Sequence, residues 1–165
     1  MKKPSLIVAA VLAALATSAA IADTASSTFK VLINVTKACS VTAGTASNID
    51  FGSVLSSATA LSASSNINVT CSKSTPYNIG LLPSNSNTSG AGVMSPTTTG
   101  PDTIPYQLRS VSATGPVWGN ATSPANTVAN TGTGAAQSIP VWATVASVNV
   151  TPGAYLDTVT VQVNY

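Results

Sequence analysis

From Asp23 onward the apolar residues of this chain recur at every second position, and no stretch shows the three-and-four spacing of an amphipathic helix. That regularity restricts the fold more than any other feature, because period-two alternation gives an extended strand one face for a core and one for solvent. It runs through Ile67, Val69 and Cys71, through Tyr77, Ile79 and Leu81, through Ile104, Tyr106 and Leu108, and through Ile139, Val141, Ala143 and Val145. The chain closes on "DTVTVQVNY", with Val159, Val161, Val163 and Tyr165 on one face and Thr158, Thr160, Gln162 and Asn164 on the other, so the last strand is expected to run to Tyr165. Near the other end, "TFKVLINVTKAC" places Phe29, Val31, Ile33 and Val35 on alternate positions, and Ile49 and Phe51 form a shorter alternating piece ahead of Gly52. Residues 84–101 and 115–137 are dense in Ser, Thr, Asn, Gly and Pro and read as long polar loops, the second with a short strand around Trp118. Short strands separated by turn chemistry predict an all-β sandwich.

Residues 1–22 read as an export signal. Met1, Lys2 and Lys3 form a positive start, Leu6 to Ala16 is apolar, and Ala20-Ile21-Ala22 is a small-x-small cleavage pattern. The apolar run is shorter than the ~20 residues that span a bilayer, and no later stretch approaches that length. Cleavage after Ala22 leaves 143 of the 165 residues, enough for one domain with its own core. In that portion Lys30, Lys37, Lys73 and Arg109 balance Asp23, Asp50, Asp102 and Asp157. A neutral chain with scattered charges has no electrostatic footprint for nucleic acid or an anionic membrane, and an uncharged surface favours association over repulsion.

Cys39 and Cys71 allow a single intramolecular pairing, and in an exported chain they are expected to form a disulfide. Without a Cys-x-x-Cys or any histidine, a redox or metal role has little to stand on. The chain also has no glutamate, so Ser-His-Asp and Cys-His chemistry cannot be built. Asp157 lies just past the turn "TPGAY", after Leu156, and is expected to fix that turn. The glycine clusters at 90–92 and 132–134 lack the following helix that a phosphate site needs. No catalytic residue, metal site or cofactor is therefore expected.

In order along the chain, "KVLINVTKACSV", "IDFGSV", "NINVTCS", "YNIGLL", "VWGN", "TGTGAAQSIPVWATV" and "PGAYLDTVTVQVNY" resemble the spore coat U domain family, which includes the Csu-type subunits of archaic chaperone-usher pili. The resemblance implies an incomplete immunoglobulin-like sandwich over residues 39–165, with its first strand starting at Cys39, preceded by an N-terminal donor-strand segment at 23–38. Phe29, Val31, Ile33 and Val35 would be the donor's plugs, and Val159, Val161, Val163 and Tyr165 would line the acceptor groove. It also implies a pilin of a surface fimbrium, reached through the periplasm, that polymerises by donor-strand exchange and supports adhesion and biofilm formation. The implied partners are a periplasmic chaperone, an outer-membrane usher and other copies of itself or related pilins.

Two other readings of the same residues stay open at the level of sequence. Residues 28–35 have the periodicity of an ordinary edge strand in a complete sandwich, which would suit a non-polymerising coat component. Trp118 and Trp142 with the polar loops would suit a secreted carbohydrate-binding module.

Overall fold

The computed structural model describes residues 23–122 and 125–165; the expected signal peptide at 1–22 lies outside the described residues. The chain divides into two units, residues 1–34 and 35–165. In the first, residues 23–34 carry no regular secondary structure, so the strand expected at 28–35 is absent from the single chain. A strand exists by virtue of its hydrogen-bonded neighbour, and alternation supplies only a suitable side-chain pattern.

The second unit is a sandwich of two antiparallel sheets. Its strands are β1 (Cys39–Thr42), β2 (Thr59–Cys71), β3 (Pro76–Leu82), β4 (Ala91–Pro96), β5 (Ile104–Ser110), β6 (Val128–Thr131), β7 (Ala136–Ser147), β8 (Tyr155–Leu156) and β9 (Thr160–Asn164). The larger sheet has the order β1-β2-β7-β5-β4-β8 and the smaller β6-β3-β9. Among the described residues no helix is long and apolar enough to cross a membrane.

The inward phase of β2, β3, β5 and β7 forms one buried cluster shared by both sheets, as the alternation predicted. Trp118 is fully buried in it, and its indole N–H donates to the Ile79 carbonyl at 2.8 Å, which meets the need of a buried indole for a polar partner. Pro140 is tolerated within the central strand β7 because the β5 ladder begins only at Val141, leaving the proline paired on the β2 side alone. Cys39 and Cys71 form the disulfide, on directly opposed positions of β1 and β2 with Cα atoms 4.1 Å apart.

Three expectations are corrected. The polar stretch 84–101 contains β4, which the loop-like composition concealed. Gly92 sits opposite Tyr106, whose ring occupies the space a Cβ would need. The stretch 115–137 contains β6, paired to β3, whereas Val117 beside Trp118 makes only an isolated bridge to Arg109. Ile49 and Phe51 form no strand; Asp50 Oδ1 accepts the Gly52 N–H at 2.7 Å, and the chain turns there with Gly52 at positive φ.

Candidate functional site

Strand β9 hydrogen-bonds to β3 along one edge, and among the described residues its other edge has no strand partner. The preceding strand, β8, belongs to the opposite sheet, where it pairs with β4. Residues 157–159 therefore carry the chain from one layer of the sandwich to the other. β1 ends the larger sheet and approaches β9 without a ladder between them. A sandwich with an unpaired last strand has an opening along that strand, and here it is a groove of about 630 Å³.

Buried Ile67, Leu81, Leu108 and Val141 form the base of the groove. Half-buried Ile49 and Phe51, from the segment after β1, line it together with half-buried Val159 and Val161. The segment expected to be a strand at 49–51 thus serves as a wall. Val159, Val161 and Val163 pack against the core, while Tyr165 lies beyond the end of β9 and is 49% exposed. The ladder stops one residue short of the predicted end because Asn164 is the last residue with a partner on β3.

Among the described residues, two aspartates, Asp50 and Asp157, are the charged side chains that line the groove, and no basic side chain does. Asp157 does not hold the "TPGAY" turn as expected. Its Oδ2 accepts from the Tyr106 hydroxyl at 2.6 Å and its Oδ1 from the Thr158 N–H at 2.7 Å. Asp102 holds that turn instead, accepting the Thr151 N–H at 2.8 Å and the Thr151 hydroxyl, while Tyr155 donates to the Thr151 carbonyl at 2.8 Å. The Thr151 hydroxyl and N–H keep the Asp102 carboxyl below its usual range. Burial, then the hydrogen bond to Asp157 and its charge, push the Tyr106 phenol far above the ordinary tyrosine range.

The candidate donor side chains lie in the open. Phe29, Val31 and Ile33 are each 88% exposed and Val35 80%. A run of large apolar residues so exposed is unusual on a stable monomer and marks a surface that expects a partner. Leu32, 83% exposed, belongs to the same run although it falls on the other face of the alternation. At the root of this segment Ala38 is tied to Ser72: its N–H donates to Oγ at 3.0 Å, and its carbonyl accepts the Ser72 N–H at 2.9 Å.

The stacking surface needed for a carbohydrate module is not assembled, since Trp118 is buried in the core and only Trp142 is partly accessible. The Tyr106–Asp157 contact escaped the sequence reading. An aspartate in the inward phase of the alternation from 155 to 163 was the available signal for it.

The Spore Coat Protein U domain family matches residues 25–162. No curated protein sequence matches the chain. Among solved structures, the chain is similar to the CsuC–CsuE chaperone–tip adhesion subunit pre-assembly complex from the archaic chaperone-usher Csu pili of Acinetobacter baumannii. The TM-score is 0.54 at 23% identity, covering 79% of this chain and 40% of that one. A second similarity, to a chaperone–tip adhesin complex vital for synergistic activation of CFA/I fimbriae biogenesis, has a TM-score of 0.40 at 11% identity over 76% of this chain and 40% of the other. The chain therefore spans about 40% of the length of the chains it resembles.

Proposed function

Because the chain belongs to the Spore Coat Protein U domain family, we propose that it is a structural subunit of an archaic chaperone-usher surface fibre. Residues 39–165 are the incomplete immunoglobulin-like sandwich and residues 23–38 the donor. A periplasmic chaperone completes the sandwich first; the donor of another copy then replaces it at an outer-membrane usher. The fibre reaches the cell surface through the periplasm and supports adhesion and biofilm formation.

The observation that carries this reading is an open apolar groove along the unpaired edge of β9, in the same chain as an exposed alternating apolar segment. An exposed strand edge beside apolar surface is an aggregation hazard when left open. An added strand satisfies the edge by backbone hydrogen bonds and fills the groove with every second side chain; strand addition of this kind in pilins is an established recognition mode. Burying Phe29, Val31, Ile33 and Val35 at roughly 1.5–3 kcal/mol each contributes about 6–12 kcal/mol before ordering costs.

The donor's own groove is a poor target. Only Thr36, Lys37 and Ala38 separate Val35 from β1. A donor antiparallel to β9 would run parallel to β1, and parallel neighbours need a connection of about a dozen residues. Donation to another copy is head-to-tail and does not close, so the product is a filament. The test is the exported protein itself. It should migrate unheated as a ladder that collapses to one band on boiling, and filaments should vanish from the cell surface when the chain is deleted. A chain that remains monomeric beside its chaperone and usher, with filaments unaffected by its deletion, overturns the reading.

A further inference from the structure

On the basis of the donor-strand reading, we propose that Lys37 of one copy pairs with Asp157 of the copy that accepts its donor, and that this pair fixes the register of the inserted strand. Apolar alternation cannot do so. The inward face of the acceptor edge is Val159, Val161 and Val163, three identical side chains, and a donor with alternating apolar residues can slip along them by two positions while keeping the same face buried.

The charges break this degeneracy. With the donor antiparallel to β9 and Phe29 opposite Tyr165, Val31 faces Val163, Ile33 faces Val161 and Val35 faces Val159. Lys37 then arrives opposite Asp157, and the outward positions match as well: Lys30 with Asn164, Leu32 with Gln162, Asn34 with Thr160. A slip of two residues one way sets Lys37 against Val159, leaving an ammonium in an apolar site without a partner. A slip the other way sets Val35 against the Asp157 carboxylate. Either slip leaves a charge beside an apolar side chain. A single polar group that sets register within an otherwise repetitive apolar seam is a known device.

Asp157 is prepared for this role. It is half-buried and lines the groove. The Tyr106 hydroxyl and the Thr158 N–H take one lone pair on each of its oxygens and hold the carboxylate in place; a carboxylate has about four such sites, so acceptor capacity remains. In the single chain the Lys37 ammonium lies 5.6 Å from the centroid of its own Tyr165 ring. That is a surface contact, which an ion pair with a fixed carboxylate can replace.

The experiment measures capture of fluorescein-labelled synthetic peptides of residues 23–38 by the purified monomeric chain. The chain should capture the Lys37→Glu peptide about tenfold more weakly than the native peptide. An Asp157→Lys chain should reverse that preference. Should that chain fail to fold, Asp157→Asn retains an acceptor for Tyr106 and should bind the two peptides within about twofold of each other. Native and Lys37→Glu peptides bound alike by the unaltered chain, with an Ile33→Asp peptide rejected, would overturn the register pair and leave the donor reading standing. A native peptide that is not captured at all would overturn both.

Discussion

The Tyr106 hydroxyl donates a 2.6 Å hydrogen bond to Asp157 from 51 residues away in sequence, joining the central strand β5 to the short crossing between β8 and β9. The crossing is where the last strand leaves one sheet for the other, and both residues of the contact line the groove. A side-chain contact at this point leaves the backbone edge of β9 free for a ladder, which a covering loop would not.

Tyr106→Phe should lower stability at neutral pH by about 1–2 kcal/mol, because a hydrogen bond to a charged acceptor is lost while the ring stays over Gly92. It should also flatten the alkaline side of the stability profile. In the unfolded chain the phenol ionises near pH 10, whereas in the folded chain it keeps its proton to far higher pH. The folded state therefore binds the extra proton, and its stability is full below about pH 10 and lost as pH rises above that value. Urea midpoints from about pH 8 to about pH 11 should fall less steeply for the variant. Tyr77, whose phenol burial also raises, should preserve part of the slope; identical slopes would contradict the assignment.

Removing the bridge with Cys39→Ala and Cys71→Ala should cost about 3–4 kcal/mol for a cross-link spanning 32 positions. β1 is only four residues long and pairs only with β2, so the loss should appear first as exposure of β1 amides to hydrogen exchange. Two free thiols in protein recovered from the export pathway would show that the bridge does not form there.

Ile33→Asp would bring a carboxylate into the apolar groove at a cost of several kcal/mol, and fibre assembly should fail while the sandwich still folds. Lys30→Asp lies on the outward phase of the same segment and should assemble nearly as the parent does. Counting surface filaments for the two variants decides the matter, and equal counts would remove the donor assignment.

Deleting residues 162–165 removes the partners of Gly80, Ile79 and Asn78 on β3 and the cover that Val163 gives the core. The chain should lose its cooperative unfolding transition and be degraded before export is complete. A truncated chain that accumulates normally and unfolds cooperatively would show that residues 162–165 are not needed to close the core.

Much of the sandwich could be read from side-chain alternation, since β2, β3, β5 and β7 each bury residues through Ile, Val, Leu or Tyr at every second position, and β9 half-buries Val161 and Val163. β4 and β6 could not. β4 offers only Val93 and Met94, and Gly92 is required by the ring of Tyr106, a contact made across strands and invisible along them. Trp118 illustrates the same limit, because an aromatic inside a polar stretch suits a binding surface as well as a core until its indole is seen to meet Ile79. The groove depends on which strand has no neighbour, a property of topology, and Asp157 acquires its role only once Tyr106 lies beside it. By contrast, the exposed plugs Phe29, Val31, Ile33 and Val35 were legible as a pattern and misleading as a strand, since the pattern needs a second backbone to become one.

The bridge at Cys39 has a mechanical consequence. Cys39 is the first residue of β1, so tension entering through Ala38 meets the Ala38–Ser72 hydrogen bonds and then a covalent link ahead of the remaining β1 ladder. The load passes to Cys71 at the end of β2, the strand laid against β7 from Thr59 to Thr70. Pulled along its length, β2 resists in shear, with its hydrogen bonds strained together, whereas an unbridged β1 would peel away one bond at a time. On the fibre reading proposed above, tension passed from copy to copy would therefore load the covalent bridge and β2 together, and the sandwich would yield as a unit.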